Sequence, residues 1–298
     1  MNSPLEVNTP YQFILWAEQC FDEADLCFGH GTDNAYDEAA YLILRGLSLP
    51  FEIDDAQLNQ RLDKEAKEFL LGLVSHRIEH RQPVAYMLNE AWFCGLPFYV
   101  DERVLVPRSP IAELIREQFT PWVVSDEVAN ILDMGTGSAC IAVACAIAFP
   151  EAKVDAVDIS IDALAVADEN SRRHGVDDRL RLVRSDLYEN LQGQRYDIIV
   201  ANPPYVDTED MTNLPAEFRH EPRLALQAGE DGLDIVRQLI AQSRRYLNDA
   251  GILVVEVGNS EDALIENYPH IPFMWLEFEH GGHGVFLLTA EQLDGLQN

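Results

Sequence analysis

The sequence predicts an α/β chain in which a small helical domain precedes a mostly parallel sheet. Three observations predict it. From Ala129 onward short apolar runs alternate with helical stretches, the order that builds a parallel sheet with helices on both faces. The first of those runs feeds straight into a glycine-rich turn and an apolar helix, Met134-Gly135-Thr136-Gly137-Ser138-Ala139 and then Cys140 to Phe149. Between Tyr11 and Met87, by contrast, apolar residues recur at helical spacing. The chain has 298 residues, 47% of them hydrophobic, enough for one large core or two smaller ones.

The helical segment carries three stripes: Phe13, Ile14, Trp16, Ala17, Cys20 and Phe21; Tyr36, Ala39, Ala40, Leu42, Ile43 and Leu44; and Phe69, Leu70, Leu73, Val74 and Ile78. Asp33 or Asn34 is placed to cap the second helix. His76 and His80 share a helix face at metal-ligand spacing, but no third ligand accompanies them, so no metal is expected. Trp92 to Val106 alternates and is expected to turn at Gly95-Leu96-Pro97, which makes a β-hairpin linker. Val106 to Phe119 then reads as a helix. Arg108 and Glu113 are read as pairing, as lining the site or, equally, as surface residues.

The first sheet strand is Ala129 to Asp133 and the second is Lys153 to Asp158. Later ones are Leu180 to Val183, Asp197 to Ala201, Gly251 to Val257, Phe273 to Phe278 and Val285 to Leu288. Val206 to Gly232 has few apolar repeats and reads as an acidic lid bearing Glu209, Asp210, Glu217 and Glu221. Gly281-Gly282-His283-Gly284 reads as a tight turn between the final strands.

Four residues at the end of the Tyr196 to Ala201 run carry the chemistry: Asn202, Pro203, Pro204 and Tyr205. Each proline removes a backbone N–H and fixes φ, and Pro204 holds Pro203 extended. The corner is therefore rigid and rich in acceptors. It suits a planar NH2 group, which carries two donors and a delocalised lone pair. The Asn202 side-chain oxygen can accept one hydrogen and the Pro203 carbonyl the other, while Tyr205 can cover the flat face. Held so, the nitrogen faces a methyl donor. The corner suits an amide or the exocyclic amine of a base.

Upstream, the glycine turn lets backbone approach a ligand at a helix N-terminus. Alone it also fits a dinucleotide. The pattern is Asp-x-Gly-x-Gly, however, with Ala139 where a third glycine is commoner, and Asp133 can hold a cationic amino-acid moiety. Asp158 ends the next strand at the spacing used to grip ribose hydroxyls. Asp186, after the third strand, can reach an adenine edge.

In this order the motifs resemble the class I S-adenosylmethionine-dependent methyltransferases, and among them the protein-glutamine amide N-methyltransferases. Phe28-Gly29-His30-Gly31-Thr32-Asp33-Asn34, Trp92-Phe93-Cys94-Gly95 and the stretch from Phe98 to Pro110 resemble the branch that modifies large-subunit ribosomal protein L-three. Ser109-Pro110-Ile111-Ala112 departs from the sister branch that acts on peptide-chain release factors, as do Leu187, Asn259 and Ser260. The resemblance implies a Rossmann-like, seven-stranded sheet with its last strand antiparallel. It implies residues 1–88 as a substrate-presenting helical domain, 89–107 as the hairpin linker and 108–298 as the methyltransferase domain. It further implies transfer of a methyl group from S-adenosylmethionine to a glutamine nitrogen, leaving S-adenosylhomocysteine. The catalytic set is then Asn202, Pro203, Pro204 and Tyr205. The cofactor set is Asp133, Gly135, Thr136, Gly137, Asp158, Asp186 and Asn202.

Charge agrees with a basic protein substrate. Lys and Arg number 21 against 51 Asp and Glu, a formal net charge of −30. Such a chain lacks the basic footprint of a nucleic-acid binder, and its field attracts a basic partner. The five cysteines are scattered, with no Cys-x-x-Cys, as in a reduced, cytoplasmic protein. Met1 to Glu6 has no basic and apolar leader pattern, so no signal peptide is expected, and the apolar runs are too short for a membrane span.

Overall fold

The computed structural model describes residues 7–296. The leader reading at Met1 to Glu6 lies outside them. The described chain forms two compact units. One is the chain up to Ala91 together with Pro215–His220; the other runs from Trp92 to Leu214 and from Glu221 onward.

The first unit is helical: Pro10–Glu23 (α1), Ala35–Gly46 (α2), Asp55–Leu58 (α3), Lys64–His80 (α4) and Val84–Leu88 (α5). Polar residues start four of them. Thr9, Asn34, Asp54 and Asp63 each accept a backbone N–H of the first turn, which satisfies a donor the helix cannot. Asn34, not Asp33, caps α2. Phe13, Ala17, Phe21, Leu42, Ile43, Leu70 and Val74 form the core, so the three apolar stripes meet one another. His76 and His80 stack with ring centroids 4.2 Å apart, and His76 Nε2 lies 2.8 Å from Gln82 Oε1. Among the described residues no group of three or more His, Cys, Asp or Glu is placed to hold a metal.

At the centre of this unit Arg77 is fully buried. Its Nε donates to Glu38 Oε1 at 2.6 Å, and its Nη1 lies 3.6 Å from Glu217 Oε1. Glu217 also accepts the Cys27 N–H and a bond from Arg81.

The second unit opens with a hairpin, Ala91–Phe93 (β1) and Leu96–Phe98 (β2). Its turn is Cys94-Gly95, both at positive φ, one residue earlier than the sequence reading. That geometry matches the twist of two-residue hairpins and leaves Pro97 in a strand of a two-stranded sheet, where an edge tolerates it. The expected helix from Val106 shrinks to Ile111–Arg116 (α6). Pro107 and Pro110 hold the chain extended before it, and Gln118 and Phe119 at positive φ end it.

The main sheet comprises Asn130–Met134 (β3), Lys153–Asp158 (β4), Leu180–Arg184 (β5), Tyr196–Ala201 (β6), Leu247–Glu256 (β7), Met274–Trp275 (β8) and Val285–Thr289 (β9). Its seven strands run in the order β5-β4-β3-β6-β7-β9-β8. The pairs from β5 to β7 are parallel, and β9 is antiparallel to both its neighbours. Successive residues of β6 serve opposite faces. Ile198 and Val200 join the core with Cys140–Ala148 (α7); Ile199 and Ala201 join the core with Asp234–Ser243 (α10). Between them lie Ile161–Arg173 (α8) and Thr208–Asn213 (α9); Glu261–Asn267 (α11) and Ala290–Gly295 (α12) complete the helices.

The last expected strand before β9 is short. Leu276 N still reaches Val285 O at 2.9 Å, after which the chain leaves the sheet. Gly281 to Gly284 is then an irregular segment rather than a tight turn, and Gly284 lies so close to Gly258 that a Cβ would meet its oxygen at 2.3 Å. Among the described residues no helix is long and apolar enough to cross a membrane.

The buried Arg77 cluster generates a stability prediction. Arg77→Met leaves Glu38 without its cation and Glu217 with Arg81 alone, which costs ~3–5 kcal/mol. Urea unfolding followed by circular dichroism is expected to show that loss. A change below about 1 kcal/mol contradicts the role given to Arg77.

Candidate active site

Parallel register sets the site. Met134 pairs with both Val157 and Ala201, and Ala201 pairs with Val255. The next residue of each strand is therefore brought to one sheet edge: Gly135, Asp158, Asn202 and Glu256. In open parallel sheets the carboxyl ends of the strands are where ligands bind.

A cavity of about 230 Å³ lies at this edge. Gly135, Thr136, Gly137, Asp158, Asp186, Asn202, Pro203 and Pro204 line it, together with apolar Met134, Ile141, Val157 and Leu187. Asp133 and Tyr205, the remaining two residues of the sequence-derived set, do not line it.

Asp133 is turned inward. Its Oδ2 accepts the Thr136 hydroxyl at 2.6 Å and the Ala142 N–H at 3.1 Å. It thus ties the glycine turn to the start of α7. Burial pushes its carboxyl up to about 7, against the pull of these two bonds. Asp158 fastens the same turn from the neighbouring strand. One oxygen accepts the Gly137 N–H and the other the Ser160 N–H, each at 2.9 Å. Burial raises its pKa as well.

Ala139 stands in the left-handed region at φ 62° and caps α7. A non-glycine residue there costs ~1–2 kcal/mol. Glycine would forfeit a buried methyl worth ~0.8 kcal/mol and add ~0.4–1 kcal/mol of unfolded-chain entropy. These terms nearly cancel, which is why alanine serves where glycine is commoner.

Asn202 is half-buried at the cavity wall. Among the described residues its side-chain amide makes no hydrogen bond, so its oxygen and its nitrogen are uncommitted within the chain. Asp186 is exposed, and its carboxylate likewise makes no bond within the described chain.

The segment from Arg103 to Ser109 also lines the cavity. Arg108 pairs with Glu221 rather than Glu113, through Nη1 at 2.6 Å and Nη2 at 2.7 Å. Glu221 also accepts the Val106 N–H at 3.0 Å. This buried carboxylate joins two cavity-lining stretches, Arg103 to Ser109 and Pro222 to Ala225. Glu113 accepts the N–H groups of Glu279 and His280 instead. The segment 206–232, expected as an acidic lid, exposes less acid than the sequence implied: Glu217 and Glu221 are both spent on buried contacts, and its early part is the helix α9.

Sheet order and the position of the cavity are those of a Rossmann-like methyltransferase, and residues 118–233 match the methyltransferase small domain family. The fold is shared with the crystallised hMettl16 catalytic domain in complex with a 3'UTR hairpin, at a TM-score of 0.51 and 15% identity over 79% of this chain and 85% of that one. Closer likeness is found in sequence. The ribosomal protein uL3 glutamine methyltransferase of Neisseria meningitidis serogroup B is 48% identical over 291 residues, 97% of this chain and 96% of that protein. Its namesake from Francisella tularensis subsp. tularensis is 46% identical over 288 residues, 96% and 92% of the two chains. The chain belongs to the family of ribosomal protein uL3 glutamine methyltransferases.

The raised Asp133 pKa has a signature in stability. Between its ordinary 3.8 and about 7, the folded protein holds a proton that the unfolded chain has released. Stability from this group is full below the lower value and is lost as pH rises through the window. Asp133→Asn keeps an acceptor oxygen and removes the titration. Urea unfolding near pH 5 and pH 8 is expected to show a smaller loss in the variant than in wild type. Equal losses contradict the elevated pKa.

Proposed function

We propose that this protein transfers the methyl group of S-adenosylmethionine to the side-chain amide nitrogen of a glutamine in ribosomal protein uL3. The observation that carries the reading is the uncommitted Asn202 amide, set between a glycine-turn cavity and two prolines. Both curated relatives bear the name of that activity.

The cavity residues fit the donor. Gly135 and Gly137, whose N–H groups are taken by the Val157 carbonyl and by Asp158, let the backbone approach the donor closely, and the Asp158 oxygens keep lone pairs for ribose hydroxyls after their two backbone bonds. Asp186 is free to meet the adenine amino group, and Val157, Ile159 and Leu187 supply apolar wall. Asp133 fits a different task from the one the sequence implied: it shapes the turn from beneath. When bound, the donor supplies an electrophilic methyl group on a sulfonium.

The chain's own residues supply placement. Asn202 Oδ1 accepts one N–H of the substrate carboxamide, and the Pro203 carbonyl accepts the other. Both hydrogens are then held in plane, and the nitrogen's π face is turned to the donor. Such alignment can contribute ~7–11 kcal/mol of the barrier. The proton that the methylated nitrogen sheds passes to water or to the Pro203 carbonyl. The net charge of −30 steers a basic ribosomal protein to the site. The helical unit presents that substrate, and the reaction takes place in the cytoplasm.

The test is incubation of the enzyme with labelled donor and purified uL3, followed by peptide mapping. One methyl increment on one glutamine is expected; label on RNA or on release factors instead contradicts the assignment. Asn202→Ala is expected to lower kcat by roughly a hundredfold with donor affinity near wild type. Asp158→Ala is expected to do the reverse, raising the donor Kd by roughly a hundredfold, read by calorimetry.

A further inference from the structure

Tyr205 is held at three points by the end of β7 and the turn that follows it. The Ser260 hydroxyl donates to its carbonyl at 2.9 Å. Its ring lies on Gly258, where an added Cβ would stand 2.6 Å from Cε2. Its own hydroxyl donates to Glu256 Oε1 at 3.3 Å. The other Glu256 oxygen accepts the Ser109 hydroxyl at 2.5 Å, and Ser109 belongs to the cavity-lining stretch that begins at Arg103. Glu256 is buried, behind the cavity rather than within it.

We propose that Glu256 is a positioning residue for methyl transfer: through the Tyr205 hydroxyl and Ser109 it fixes the Asn202–Tyr205 corner relative to the Arg103–Ser109 stretch of the cavity lining. The proposal rests on the reading above, in which that corner holds the glutamine amide.

The geometry favours this over a purely structural acid. A buried carboxylate is costly, and an apolar residue would fill the end of β7 at less expense. Glu256 instead bridges two hydroxyls from segments 96 residues apart, Ser109 and Tyr205. Both belong to stretches that border the cavity. Burial also pushes the Glu256 carboxyl up to about 7, with Ser109, Tyr205 and Arg108 opposing the rise, so a neutral amide is a fair replacement for it. Glutamine can accept from Tyr205 and donate to Ser109; leucine can do neither.

The experiment compares full-length wild type with Tyr205→Phe, Glu256→Gln, Glu256→Leu and the Tyr205→Phe/Glu256→Leu double variant, on purified uL3. Tyr205→Phe and Glu256→Leu are expected to lower kcat by roughly tenfold, the worth of one well-placed hydrogen bond. The KM for uL3 and the donor affinity by calorimetry stay within about threefold, as for an interaction felt in the transition state. Glu256→Gln recovers most of the turnover, and the double variant is no slower than the worse single one. Wild-type kcat in Tyr205→Phe, losses that multiply in the double variant, or a Glu256→Gln enzyme as slow as Glu256→Leu overturns the proposal. Should Glu256→Leu fail to fold, Tyr205→Phe decides alone: tenfold slowing at unchanged melting temperature supports the proposal, and unchanged kcat rejects it. A wild-type enzyme that leaves uL3 unmethylated removes the underlying reading. An active wild type with unaffected variants removes only the role of Glu256.

Discussion

Everything at the site depends on the in-register parallel pairing of β4, β3, β6 and β7. Met134 opposite Val157 and Ala201, and Ala201 opposite Val255, bring four strand ends to one edge. A slip of one residue in any pair would exchange the two faces of that strand. It would carry Ile199 and Ala201 out of one core and Ile198 and Val200 out of the other. Both faces are dry, so the register is strongly specified. The placement of Gly135, Asp158 and Asn202 therefore comes from hydrophobic burial along the strands, well away from the chemistry.

On the proposed reading, that edge holds a poor nucleophile still, by rigidity rather than with a strong base. Asp133 and Asp158 fasten the glycine turn from two strands, and two prolines stiffen the corner that follows β6. Of the hydrogen-bonded carboxyls, Asp158 lines the cavity, whereas Asp133 and Glu256 do not, and Glu221 is paired with Arg108.

What could be read from the sequence was what is contiguous in it. The strand, glycine turn and apolar helix at 129–149, the acid closing β4 and the Asn-Pro-Pro-Tyr corner each carry their geometry locally, through period-two burial, glycine φ and proline restriction. Helix caps such as Asn34 were legible for the same reason. The missed features are those made by distant residues. Ser109, Tyr205 and Glu256 meet only once the sheet forms, and Arg108 finds Glu221 across 113 positions. Asp133 looked like a ligand because its neighbours are glycines; its inward turn is decided by the Thr136 hydroxyl and the Ala142 N–H, which the pattern does not reveal. The overlong helix from Val106 and the overlong strand from Phe273 share one cause: apolar spacing continued past the point where prolines or the end of pairing released the chain.

The central claim is that the Asn202 corner grips a carboxamide with its nitrogen toward the donor. The most direct measurement is a crystal structure with S-adenosylhomocysteine and a glutamine-bearing segment of uL3 bound. The account predicts the glutamine nitrogen within hydrogen-bonding distance of both Asn202 Oδ1 and the Pro203 carbonyl, facing the sulfur. A carboxamide seated elsewhere, or an Asn202 side chain turned out of the cavity, would contradict it.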